Sequence, residues 1–270
     1  MNKMFKTVVA SAAFVAAGLA NAASVTVPAA GDATSGAWTL SNVTGTGTLS
    51  FSSSLIGALN AGGIVVEQID PAAVTAIQNK KNKYTSVSAA APISSLTGDL
   101  TGNTFTATEV KTLGGAKQTS EFDDFAIKDT GGFLEIKNLR VDLVAKKVYA
   151  DLNGANGVGE HLNFEMWNIT NISGDPTSFA VHAGLNTSVN ELTGLTINAT
   201  AFSLFAQALA LTDNVGVPSL QTVTDFGKIT STISFTATAV TPAVPEPSTY
   251  ALLGAGLAVM GASMMRRRAK

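Results

Sequence analysis

The clearest order in this chain is the alternation of apolar and polar residues between positions 131 and 154. Leu134 and Ile136 alternate with Glu135 and Lys137. After Asn138 the phase flips, and Leu139, Val141 and Leu143 alternate with Arg140 and Asp142. A period of two marks a strand with one buried face. A one-residue change of phase without a long loop predicts a bulge or a kink. Ala145, Lys146 and Lys147 supply a turn, and Val148, Ala150 and Leu152 then alternate with Tyr149 and Asp151, so the segment predicts a hairpin. Leu162, Phe164 and Met166 continue the alternation, as do residues 194–198 and 229–239; in the last segment Ile233, Phe235, Ala237 and Ala239 share a face.

Away from this segment the pattern is weaker. Residues 23–53 space Trp38, Leu40, Val43, Leu49 and Phe51 among Thr, Ser and Gly, which predicts two edge-like strands. Residues 55–61 suit a helical turn, and 64–69 a strand, because Ile64, Val65 and Val66 are β-branched. Residues 71–78 predict a short helix, with Asp70 as its cap and Pro71 at the first helical position. Lys80, Lys81 and Lys83 follow as a solvated basic turn. A later helix is signalled by Thr200 as cap and by Phe202, Phe205, Ala206 and Leu209 at helical spacing; Gly216, Val217 and Pro218 close that region. No repeat of the kind that builds solenoids or propellers is present. The expected fold class is therefore mainly β: an antiparallel β-sandwich or barrel-like body with one or two short helices.

Composition narrows the function. Residues 23–243 carry 11 basic and 18 acidic residues, a net of −7, because six of the 17 basic residues lie near the termini and only Glu246 of the 19 acidic ones does. An acidic surface argues against nucleic acid and against adhesion to anionic lipid. The chain has no cysteine, so its stability rests on burial and backbone pairing. Only 13% of residues are charged, while Thr, Ser, Asn and Gly abound, as suits short strands joined by polar turns.

Both ends of the chain read as signals. Residues 1–22 have Lys3 and Lys6 before an uncharged Ala-rich run, then Ala20-Asn21-Ala22, a small-x-small site that predicts cleavage between Ala22 and Ala23. The expected partners there are the secretion machinery and signal peptidase. At the other end, Pro245, Glu246 and Pro247 precede sixteen uncharged residues, 250–265, and then Arg266, Arg267, Arg268 and Lys270. Sixteen helical residues span roughly 24 Å, short of a bilayer core of about 30 Å. Tyr250 suits an interfacial anchor, and the basic cluster would hold the C-terminus in the cytoplasm and leave the body outside. Pro245 and Pro247 cannot extend a helix from the membrane, so the motif should be extended and accessible.

This order of motif, apolar span and basic cluster resembles the PEP-CTERM sorting signal of Gram-negative bacteria. The resemblance implies an exosortase-like membrane enzyme as partner, which acts near Pro245-Glu246-Pro247. It also implies a setting of extracellular polysaccharide or biofilm matrix. The expected organisation is a signal peptide over 1–22, an exported β-rich domain over 23–240, a linker with the motif over 241–249, a transmembrane helix over 250–265 and a cytoplasmic basic tail over 266–270. The body would be held at the inner membrane, outside the cytoplasm, and reach the cell surface or medium after processing.

Local chemistry is sparse. His161 and His182 have no metal-ligand spacing and read as surface or turn residues. No nucleophile elbow is present, and residues 154–160 read as a turn-rich connector. Glu121, Asp123 and Asp124 form an acidic cluster in which hard oxygen ligands could take a calcium ion, but neighbouring Asp residues on a strand face opposite ways, which suits acid–base work poorly. Asp151, Asn153 and Asn156 match a calcium loop only loosely, and the two Asn-Gly pairs there suit turns. Asn42, Asn168, Asn171, Asn186 and Asn198 open Asn-x-Ser/Thr sequons, as an Asn- and Thr-rich chain yields by chance. The hairpin segment also resembles HtaA-like haem-binding domains, and that resemblance implies Tyr149 as a candidate axial ligand. The residues favour a non-enzymatic envelope or matrix protein, structural or adhesive, with no catalytic residue, no cofactor and the metal question open. The alternatives are a surface module that binds carbohydrate, calcium or haem, and, third, an exported hydrolase.

Overall fold

Fourteen strands and three helices make up the computed structural model, which describes residues 23–123 and 125–240. In chain order they are β1 (Ala23–Pro28), β2 (Asp32–Ser35), β3 (Trp38–Phe51), α1 (Ser53–Ala61), β4 (Val65–Ile69), β5 (Ala73–Gln78), β6 (Tyr84–Thr101), β7 (Thr104–Thr112) and β8 (Gly115–Ser120). They continue with β9 (Gly132–Asp142), β10 (Lys147–Gly154), β11 (Gly159–Gly174), β12 (Ser178–Ala180), β13 (Gly184–Ile197), α2 (Ala199–Ala208), α3 (Gly216–Gln221) and β14 (Gly227–Ala239). The described residues up to Thr238 form one unit; a second, from Ala239 onward, lies almost wholly outside the described residues.

The hairpin of β9 and β10 forms where the alternation predicts it. Val148, Ala150 and Leu152 are buried, while Tyr149, Asp151 and Asn153 are only half-buried. The predicted phase change is a bulge. Asn138 takes a positive φ of 54°, and the register shifts between Tyr149 and Asp151, which face Arg140 and Lys137. Asp142 Oδ1 accepts the backbone N–H groups of Val144 and Ala145 and so shapes the turn.

Five local expectations are corrected. Residues 71–78 hold no helix: Ala73–Gln78 is strand β5, antiparallel to β6 from Ala73 opposite Ala90 to Ile77 opposite Ser86. Val74, Thr75 and Ile77 are β-branched, and pairing along β6 satisfies backbone groups that so short a helix would leave open. Residues 23–53 hold three strands rather than two, the third running from Trp38 to Phe51. The region closed by Gly216 and Pro218 is itself a short helix, α3, so the described residues hold three helices rather than one or two. Leu162 is 67% exposed. A further register shift frees Met166 from pairing between Glu165 and Trp167, so Met166 and Trp167 are both buried and strict alternation ends there. The cap of α2 is Asn198, whose side chain accepts the N–H of Thr200, two residues from the cap expected.

All strand pairings described are antiparallel, and every strand joins one sheet. The hydrogen-bonded path β7-β6-β3-β14-β13-β11-β10-β9 returns to β7 through Glu109 opposite Asp142, Val110 opposite Val141 and Lys111 opposite Arg140. Strands β3 and β14 approach very closely: a Cβ at Gly45, whose φ is +140°, would collide with the Thr232 carbonyl oxygen. The interior divides into two clusters. The smaller holds Val27, Trp38, Leu40, Phe105 and Phe235, and Phe105, Phe179 and Phe235 pack with ring centres 5.7 to 6.0 Å apart. The larger packs the helices on the sheet through Phe205, Phe226 and Trp167, with centroid distances of 6.2 and 6.3 Å about Phe226. Tilted aromatic contacts of this kind add to what area burial alone contributes.

Candidate functional site

Most of the site residues expected from the termini, namely Ala20, Ala22, Pro245, Glu246, Pro247, Arg266, Arg267, Arg268 and Lys270, lie outside the described residues, as does the apolar segment 250–265. Ala23 begins β1, opposite Leu100. Among the described residues no helix is long and apolar enough to cross a membrane.

The acidic and amide candidates are occupied by the fold. Asp123 Oδ1 accepts the N–H groups of Phe125, Ala126 and Ile127, and these bonds, with Ile127 foremost, hold its pKa below the usual carboxylate value against the opposing effect of burial. Its oxygen therefore organises a loop. Glu121 is exposed, and Asp124 lies outside the described residues. Asp151 accepts from Asn138 Nδ2 and from the Asn163 N–H, which straps the β9 bulge to β11. Asn153 Nδ2 donates to Glu135, and Asn156 Nδ2 donates to the Gly131 and Ala208 carbonyls at the end of α2. Among the described residues no group of three acidic, His or Cys side chains is placed to hold a metal ion. His161 bonds the Val158 carbonyl through Nε2 and lies edge-on to Phe164, while His182 is exposed. Of the five sequon residues, Asn42, Asn168 and Asn171 are exposed; Asn186 is buried and bonded to His182 and Gly184.

Tyr149 lies in a charged strip that crosses β7, β9, β10 and β11. The Arg140 guanidinium covers its ring at 3.9 Å, and also donates to Glu109 at 2.8 Å and to Asn163 at 2.6 Å. Burial pulls the Arg140 pKa down, but the hydrogen bond and charge of Glu109 outweigh it and leave it raised. Next to it Lys147 donates to Glu165 at 2.7 Å, and Glu165 also accepts from Asn198 Nδ2. The Lys147 hydrogen bond is the main cause of the lowered Glu165 pKa, and Glu165 raises that of Lys147 in return. With its ring face covered by a cation, Tyr149 is arranged as a structural residue of a strand–strand network.

An apolar cavity lies inside the strand circuit. A cavity with about 750 Å³ of space between atoms, part of it open to solvent, is walled by β3, β6, β7, β9, β13 and β14. A second lobe of about 600 Å³ shares Gly47, Leu49 and Leu139 with it and ends at Trp167, Phe205 and Phe226. Half-buried Ala107, Leu143, Thr177 and Phe179 lie where the first lobe approaches the surface. The walls are mostly aliphatic and aromatic, and no charged residue lines either lobe. Three polar atoms on these walls are buried without a hydrogen-bond partner: Thr112 Oγ1 and Asn190 Oδ1 in the first lobe, Trp167 Nε1 in the second.

Residues 243–268 match the family described as the PEP-CTERM protein-sorting motif. The chain carries a PEP-CTERM sorting motif. The match covers the motif residues Pro245, Glu246 and Pro247, the apolar segment and the Arg cluster. No curated protein matches the chain. Among solved structures, the haem-binding protein HtaB from Corynebacterium glutamicum is similar at 14% identity and a TM-score of 0.42, over 74% of this chain and 96% of that one. The likeness is distant.

Sequence reasoning missed the cavity residues Thr112, Trp167, Ser188 and Asn190. One signal was present. In β13 the residues that face the interior are Asn186, Ser188 and Asn190, while Leu185 and Val189 point outward, 73% and 45% exposed. A strand whose more apolar face is turned outward signals an interior that is not filled by its own side chains.

Proposed function

We propose that this is an exported, non-enzymatic protein of the cell envelope or extracellular matrix, delivered there by its C-terminal signal. The PEP-CTERM motif at 243–268 carries this reading, and the residues of 1–22 agree with it. The proposed order of events follows from the pattern along the chain. Residues 1–22 direct export and are removed between Ala22 and Ala23. The segment 250–265 then holds the chain in the membrane, with Arg266, Arg267, Arg268 and Lys270 on the cytoplasmic side. An exosortase-like enzyme acts near Pro245-Glu246-Pro247 in the linker 241–249 and releases or transfers the body. Extracellular polysaccharide is the proposed setting. A structural or adhesive role is supported by a body that invests its charged groups in strand-to-strand bonds, as Arg140, Glu109, Lys147 and Glu165 do.

Deletion of residues 245–247 tests the reading. The variant should remain unprocessed in the membrane fraction or disappear from the envelope, whereas the parent chain is processed in cells that hold an exosortase. Unchanged processing and location on fractionation would sink it.

A further inference from the structure

The cavity inside the strand circuit is furnished too specifically to be a simple packing defect. Interiors of proteins are close-packed, with few voids larger than a water molecule. The first lobe is an apolar space between strands, with open solvent at its mouth counted in its 750 Å³. It lies between strands whose registers place their inward residues face to face: Ser188 is opposite Ile233, Asn190 opposite Ser231 and Leu192 opposite Ile229. The polar residues on that face are therefore held toward the space by the ladder itself. Thr112, on the β7 wall, is 6% exposed and its hydroxyl has no partner. Asn190 Nδ2 donates to Ser188 Oγ at 2.9 Å, which leaves Oδ1 as a free acceptor. At the far end Trp167, 2% exposed, holds a free N–H donor. A buried polar group without a partner costs about 1–3 kcal/mol, and two of them lie on the first lobe and the third on the second.

We infer that the two lobes bind one elongated, uncharged lipophilic molecule that bears a hydroxyl or amide group. Each part of that description follows from the walls. Aliphatic and aromatic lining requires a largely hydrocarbon body. The two lobes adjoin at Gly47, Leu49 and Leu139, so a molecule that fills both is elongated. With no charged side chain on either wall, an ionised headgroup would be buried unpaired, at high cost. In the first lobe Asn190 Oδ1 needs a donor and Thr112 Oγ1 takes either role, so one hydroxyl serves both. A sugar would bury too many hydroxyls without partners. Haem would find no His, Cys, Met or Tyr on these walls and no cation for its carboxylates.

The test uses the full chain held in a lipid nanodisc, with binding to empty nanodiscs subtracted. The probes are 1-decanol and decanoate at neutral pH. The chain has two tryptophans, and Trp38 lies in the other core cluster with its Nε1 bonded to Asn103. Emission from Trp167 should change saturably with decanol, and decanoate should bind at least ten-fold more weakly. Trp167→Phe should abolish the fluorescence change while radiolabelled decanol still binds. Thr112→Val with Asn190→Leu should weaken decanol binding at least five-fold, and Ala107→Leu should weaken it by partly filling the first lobe. The proposal is overturned by no saturable decanol binding, by equal binding of decanol and decanoate, or by wild-type binding in the Thr112→Val, Asn190→Leu variant. Circular dichroism checks that each variant is folded, and Ala107→Leu alone is decisive where the double variant is not.

Discussion

Strands β10 and β13 belong to the same circuit, yet they treat their side chains in opposite ways. In β10 every inward residue is apolar and buried, and every outward one is polar or aromatic and half-buried. In the first half of β13 the inward residues are Asn186, Ser188 and Asn190, and apolar Leu185 and Val189 face outward. The difference is what lies opposite. Leu152, fully buried, belongs to the larger core cluster, whereas Ser188 and Asn190 look into open space. A packed interior enforces the usual alternation because every apolar side chain placed there gains burial. An unfilled interior does not, and leaves the inner face free to carry polar groups for something else.

Truncation should separate the two regions most sharply. Leu152→Ala removes a side chain enclosed on all sides, and is expected to lower unfolding stability by about 2–5 kcal/mol, measured by denaturant titration. Leu192 is as well hidden, but it lines the first lobe. Leu192→Ala should cost less, about 2 kcal/mol, because one side of the residue already lacks partner atoms and mainly the transfer term is lost. Equal losses would contradict the comparison.

Polar deletion should reverse the sign. Thr112→Val replaces an unpartnered hydroxyl with a methyl of similar shape, and is expected to raise the stability of the empty protein by up to about 1 kcal/mol. A matching change on the packed side, Asn138→Ala, removes bonds to Asp151 and to the Gly114 N–H and should destabilise instead.

Titration should single out the charged strip over β10. Glu165 is held below its ordinary pKa, chiefly by Lys147, so its folded form binds a proton less readily than the unfolded chain does. The linked stability is present above the unfolded carboxylate pKa of about 4.3, and is lost as pH falls through the lower folded value. Glu165→Gln should therefore differ from the parent in melting temperature at pH 7 and converge with it as pH approaches the acid limit. The smallest effect is expected on the outer face of β13, where Leu185→Ser should change stability by no more than about 0.5 kcal/mol.

What could be read in advance follows the same division. The hairpin of β9 and β10, its bulge at Asn138 and the α2 helix were legible, because each sets its hydrophobic residues by a local period and turns them to the interior. Strand β5 was not. Asp70 and Pro71 form a valid helix-start signal, but the edge of β6 offered residues 73–78 a full ladder of backbone partners, which outweighed a weak local preference. The exposed side of Leu162 was hidden for a related reason: its phase is set by a register shift between β10 and β11, and no single strand contains that information.

By itself the sequence determined the strand-rich class of the body, its acidic and cysteine-free character, and the sorting motif, because each depends on residue type and spacing along the chain. Only the tertiary structure decided that the strands return on themselves through Val110 and Val141, and that Thr112, Asn190 and Trp167 line two adjoining apolar lobes. Those three residues are separated in the chain by dozens of positions. They line adjoining lobes because strand register, a cooperative property of the whole sheet, turns them inward together.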